Sequence, residues 1–209
     1  SKNEMTCSRE QAKFFEQVEV FSSTNVRKGI LIGAASGSGK SYVVENHPSG
    51  MRFTDRRVNV FINAAEVCVW YGRQRTCDIH VVDGDDIVNF WFGEDAWKDW
   101  HDDMTMEQGK MYADRRHLLI ETVLNFFPDI VLFNAVGLIC DYVVEIDEQI
   151  HRHNLEIRAL KPNRHPNQWE LVNANRRVLM SQAKKNVIFV SDTFSKIFCL
   201  CLYKRTDLS

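Results

Sequence analysis

The residues Ala34-Ala35-Ser36-Gly37-Ser38-Gly39-Lys40-Ser41 bring glycines, serines and a lysine together in one short stretch. They follow the apolar run Gly29-Ile30-Leu31-Ile32-Gly33 and lead into Tyr42-Val43-Val44-Glu45, which reads as a helix start. A strand, a glycine-rich loop and a helix in that order bind anionic phosphate. Without Cβ atoms in the way, successive backbone N–H groups can turn inward around one anion. Ser36, Gly37, Ser38, Gly39, Lys40 and Ser41 are therefore the expected nucleotide-binding residues. Lys40 is placed to neutralise β- and γ-phosphate oxygens, and the Ser41 hydroxyl to ligate Mg²⁺.

A second cluster, Val81-Val82-Asp83-Gly84-Asp85-Asp86-Ile87, sets carboxylates at the end of another apolar run. In open parallel sheets, ligands bind beyond the carboxyl ends of the strands. A hydroxyl nucleophile needs a carboxylate that orients it and accepts its proton, and phosphoryl transfer needs Mg²⁺ held nearby. Asp85 is expected to serve the acceptor hydroxyl as catalytic base, and Asp83 the metal or its water. The same acids also suit the first turn of a helix, where carboxylates meet the positive end of its dipole.

The loop and the acidic turn together resemble the P-loop kinase superfamily. Gluconate and adenylylsulfate kinases carry a similar Asp-Gly-Asp, shikimate kinase an Asp-x-Asp, and polynucleotide kinase an Asp-Asp at the equivalent turn. The resemblance covers the core from roughly Gly29 to Val190. Ala34 stands where the strict Walker A pattern has glycine, with Gly33 one residue earlier. The run ending Leu132-Phe133-Asn134-Ala135 has no acid at its tip, unlike ATPases that drive mechanical work. The resemblance implies a phosphotransferase that uses ATP and Mg²⁺, with Asp85 as base and Lys40 on the nucleotide. Ser41 and Asp83 would serve the metal.

In such kinases the segment after the fourth strand is a lid whose arginines close on the phosphates. Here that segment covers approximately 147–170, and Arg152 and Arg158 are its candidate catalytic residues, with Arg164 in a loop bounded by Pro162 and Pro166. A planar, permanently charged guanidinium suits the transferring phosphoryl group. The 161–168 loop is expected to be mobile and to order on ligand binding. No guanine-reading Asn/Thr-Lys-x-Asp motif occurs, which points to ATP.

The acceptor is less plainly written. Trp91, Trp97 and Trp100 lie close after the acidic turn, an aromatic lining suited to stacking on a nucleobase or to packing. Arg56-Arg57, Arg115-Arg116, Arg176-Arg177 and Lys184-Lys185 would suit a phosphate track on DNA or RNA, or merely solvated helix faces. The leading expectation is transfer to a hydroxyl of a nucleotide or nucleic acid, such as a polynucleotide end or a hydroxymethylated base. The alternatives are a small-metabolite kinase of the gluconate or shikimate type and a non-enzymatic ATP-binding regulatory or assembly protein.

These residues need a frame to hold them. Further buried-type runs are 78–82, 129–133, 141–146 and 186–190, and helical patterns span Arg57–Tyr71, Met106–Phe127, Glu148–Leu160 and Gln168–Ala183. Leu119, Ile120, Val123, Leu124 and Phe127 form the clearest helical stripe. The alternation predicts an α/β fold with a mostly parallel five-stranded sheet and helices on both faces. The resemblance implies that this is a P-loop NTPase fold similar to that of nucleoside monophosphate kinases. One domain over 1–209 is expected, with a helical extension over 1–25.

The chain has 209 residues, 44% of them hydrophobic, with 26 basic and 28 acidic side chains. That near-balance argues against a bulk polycation, and no apolar run is long enough for a bilayer span. The polar opening residues do not read as a signal peptide. The six cysteines form no CxxC pair and fit reduced thiols of a cytoplasmic protein. Cys199 and Cys201, two apart, would share one face of a strand. His151 and His153 are likewise two apart and advertise no zinc site.

Overall fold

The computed structural model describes residues 28–51, 68, 80–92, 106–134, 138–161, 169–181, 187–190, 194, 196, 198 and 199. The chain forms two compact units. One comprises residues 1–30, 52–80 and 84–130, and the other 31–51, 81–83 and 131–209.

The sheet has six strands: β1 (Ile30–Ala34), β2 (Gly50–Met51), β3 (His80–Asp83), β4 (Ile130–Asn134), β5 (Tyr142–Ile146) and β6 (Val187–Val190). Their order is β2-β3-β4-β1-β5-β6. The pairs β2·β3, β1·β5 and β5·β6 are parallel, with Gly33 opposite Val143 and Val144 opposite Ile188. The five expected runs all form strands, and the short edge strand β2 is the addition. β1, β3, β4 and β5 are buried along nearly their whole length, as continuous apolar runs require. Asp141 ties β5 to β1: its carboxylate accepts from Leu31 N–H at 2.8 Å, and its own N–H donates to Leu31 O at 2.9 Å.

In the unit that holds the glycine-rich loop 34–41, α1 (Lys40–Asn46), α4 (Glu148–Ala159) and α5 (Trp169–Ser181) accompany the sheet. Asp147 caps α4, its Oδ1 accepting from Gln149 N–H at 2.9 Å and Ile150 N–H at 3.3 Å. α5 is anchored by Arg176, which is buried and donates to Glu145 Oε1 at 2.6 and 3.1 Å and to Ile146 O at 3.2 Å. Leu179 of α5 and Cys140 both lie against Gly33 of β1.

The other unit contains α2 (Gly84–Phe92) and α3 (Met106–Phe126). The expected stripe, Leu119, Ile120, Val123 and Leu124 of α3 with Phe127 just beyond its end, is buried. Leu124 O accepts from both Lys28 and Gly29 N–H, at 3.0 and 2.7 Å. Of the expected helix from Arg57 to Tyr71, only Cys68 is described; it is helical and buried. The 1–25 extension lies outside the described residues.

One local expectation is corrected. Phe194, Lys196, Phe198 and Cys199 are helical, so the cysteine run does not begin as a strand. Phe194 and Phe198, four apart, are both buried with their rings 5.2 and 5.4 Å from Phe133, whereas Cys199 is exposed. That is a helical period, and it places Cys199 off the buried face. Among the described residues no helix is long and apolar enough to cross a membrane.

Candidate nucleotide site

The loop leaves β1 at Ala34 and enters α1 at Lys40. Gly37 and Gly39 have φ of +81° and +114°, a left-handed backbone that L side chains adopt only under strain. A Cβ at Gly37 would also press on Leu155, which would have to shift. The turn closes with Ser38 N–H donating to Ala35 O at 3.2 Å. Lys40 is buried, and its Nζ donates to Ala34 O at 2.7 Å across the mouth of the loop. The lysine is thus held inside the loop and not splayed into solvent.

One face of α4 lies on this loop. His151, Leu155 and Arg158, spaced four and three apart, stack along it. His151 Nε2 is 2.7 Å from Ser36 O, Leu155 meets Gly37, and Arg158 Nη1 donates to Ser36 Oγ at 2.7 Å. Of the two candidate arginines, Arg158 is therefore the one placed at the loop. Arg152 is not brought to it by any described contact. It pairs with Glu148 at 2.8 Å and lies 4.7 Å over the Trp169 ring, six residues before Arg158 on another side of the helix. Arg164 and the loop between Pro162 and Pro166 lie outside the described residues.

His151 is the functional candidate that the sequence reading passed over. It is 1% exposed and touches Trp169 edge-on at 5.5 Å. Burial lowers its pKa from the ordinary value. Its hydrogen bond to Ser36 opposes this, the Arg176 and Lys40 charges lower it further, and Glu145 raises it. The signal was the Asp147 cap followed by His151, Leu155 and Arg158 on one helical stripe.

A pH dependence follows from that lowered pKa. In the unfolded chain a histidine takes up its proton near its ordinary value of about 6.5, whereas folded His151 resists it. Above that pH both states are neutral and nothing is lost; below it the unfolded state gains protons and stability falls. The thermal midpoint of the wild type should therefore drop more between about pH 7.5 and 5.5 than that of His151→Gln. His47 and His117, also held low chiefly by burial, contribute equally to both proteins. Parallel pH profiles for the two would show that His151 is not kept neutral.

The acidic residues divide between the units. Asp83 is the last residue of β3 and is buried, in the unit of the loop. Asp85 and Asp86 belong to the other unit and form the first turn of α2. Asp85 pairs with Arg116 at 2.6 Å; its side chain is 53% exposed while that of Arg116 is 12%. Arg116 and Arg176 are thereby engaged in ion pairs and do not form an open basic track. Arg177 is exposed; the Arg56-Arg57 and Lys184-Lys185 pairs lie outside the described residues, as do the side chains of Trp91, Trp97 and Trp100.

Among the described residues no group of three or more His, Cys, Asp or Glu could hold a metal ion. Burial pushes the Cys68 thiol up to about 12, so it stays protonated and unreactive. No protein-family model matches the chain, and no curated protein matches it.

Proposed function

We propose that the chain is a P-loop kinase that moves the γ-phosphoryl group of ATP to a hydroxyl, most readily one on a nucleotide or nucleic acid. The observation that carries this is the loop: two left-handed glycines, Lys40 turned inside it, and Arg158 resting on Ser36. The sheet order supports it. From β1 the chain goes to β2, β3 and β4 on one side and then to β5 and β6 on the other. The loop thus follows the strand at which the order switches, where open α/β sheets bind ligands.

Under this reading Ser36 to Ser41 hold the phosphates, with Lys40 as their countercharge. Mg²⁺ would be held by Ser41 and, through water, by Asp83. An ion bound largely through substrate phosphates and water needs no dedicated cage of carboxylates. Arg158 would exchange its Ser36 hydroxyl for phosphate oxygens. Asp85 would take the acceptor proton as the acceptor oxygen bonds to phosphorus and the bond to the β-phosphate breaks, releasing ADP. A neutral buried donor at His151 would not compete for the phosphates.

The deciding experiment is a labelled-ATP transfer screen over nucleosides, nucleotides, DNA, RNA and sugar acids. Label on a nucleotide or polynucleotide bears the reading out, and label on a sugar acid moves it to a metabolite kinase. Mg·ATP binding without transfer to any acceptor would leave a regulatory nucleotide-binding protein.

A further inference from the structure

We propose that His151 is a positioning residue of the phosphate loop, whose ring fixes the Ser36 peptide so that the Gly37 amide faces bound polyphosphate. The inference rests on the nucleotide reading above and assigns a role that the reading itself does not require.

A carbonyl oxygen only accepts, so the 2.7 Å approach of Nε2 to Ser36 O means that Nε2 carries the proton and donates. The other ring nitrogen, Nδ1, is buried and has no hydrogen-bond partner. Burying an unsatisfied polar atom is costly, and an apolar side chain at this position would avoid that cost. The ring is therefore spent on the one bond it makes. The chain has no cis peptide among the described residues, and in a trans peptide the C=O and the following N–H point in opposite directions. Pinning Ser36 O onto α4 therefore turns the Gly37 N–H away from α4. Leu155 packed against Gly37 holds the same peptide from the side, and Arg158 holds the Ser36 hydroxyl.

The two polar residues of this helix face then have separate duties. Arg158 is charged and its hydrogen bond to a hydroxyl is readily exchanged for one to phosphate. His151, enclosed between Ser36, Trp169 and the Lys40 and Arg176 cations, stays neutral and keeps its hold on the loop.

Two variants of the full chain test this, each checked for an intact thermal transition and titrated with Mg·ATP. His151→Leu should bind Mg·ATP about tenfold more weakly or worse, the scale of one hydrogen bond to a charged group. His151→Gln, whose amide can present an N–H near the Nε2 position, should stay within about threefold of wild type. In the wild type the Gly37 amide resonance should move downfield on adding Mg·ATP, which needs no variant. A folded His151→Leu protein that binds like wild type, an equal loss in both variants, or an unmoved Gly37 resonance would overturn the proposal. Absence of Mg·ATP binding by the wild type would instead overturn the nucleotide reading and this inference with it.

Discussion

Lys40→Ala should reduce phosphoryl transfer by roughly 10³-fold or more and weaken Mg·ATP binding. Removing a single preorganised donor to developing charge costs about 10²–10³ in rate, and Lys40 supplies a full charge. Its Nζ is already inside the loop, 2.7 Å from Ala34 O, and its residue is 8% exposed. Little reorganisation is needed for it to meet phosphate, so the whole loss falls on binding and transfer. Lys40→Arg should not restore activity, because a longer planar fork does not fit where a compact ammonium packs against a carbonyl. The variant should remain folded, since the loop's left-handed glycines are untouched. Single-turnover transfer and Mg·ATP titration of the two variants check this. Transfer near the wild-type rate in Lys40→Ala would remove the phosphate loop from the chemistry.

The loop was legible because its requirements are local. Left-handed turns need glycine and a strand must precede them; both are written in consecutive residues. The parallel core was legible for a related reason, since strands buried on both faces show as unbroken apolar runs. Those runs mark the observed strands to within a residue or two, as Gly29–Gly33 against Ile30–Ala34 shows. The helix read as Glu148–Leu160 is Glu148–Ala159. Pairings that cross the chain were not legible. β2 is two residues held through backbone bonds to β3, so no side-chain pattern marks it. His151 reaches Ser36 across 115 positions, and only the placement of α4 on the loop reveals it. The choice between Arg152 and Arg158 was of the same kind. Both lie in one helix that carries as many glutamates as arginines, and only the contacts of His151, Leu155 and Arg158 show which side meets the loop.

The ion pair between Asp85 and Arg116 sharpens what Asp85→Asn should do. If Asp85 takes the proton of the acceptor, the amide should cut transfer by about 10²–10⁴-fold, the scale of positioned acid–base help, with Mg·ATP affinity kept. Stability should hardly change, because a carboxylate 53% exposed to solvent contributes about 0–1 kcal/mol through such a pair. That contrast separates chemistry from structure at this residue. Arg116→Gln gives the control: it removes the same ion pair but leaves the carboxylate, so transfer should persist to within about tenfold. Asp83→Asn should instead raise the Mg²⁺ concentration needed for half-maximal rate, because its proposed partner is the metal's water shell. Asp83 is buried, so a fall in its thermal midpoint is also expected and must be measured beside the rate. Asp86, in the same helical turn as Asp85, should matter least to transfer. Rates, Mg²⁺ dependence and thermal midpoints of the three Asn variants rank them. Should all three keep near-normal transfer, the acidic residues serve only to open α2 and to close β3. The base would then have to be sought elsewhere, with the phosphate loop alone still pointing to a kinase.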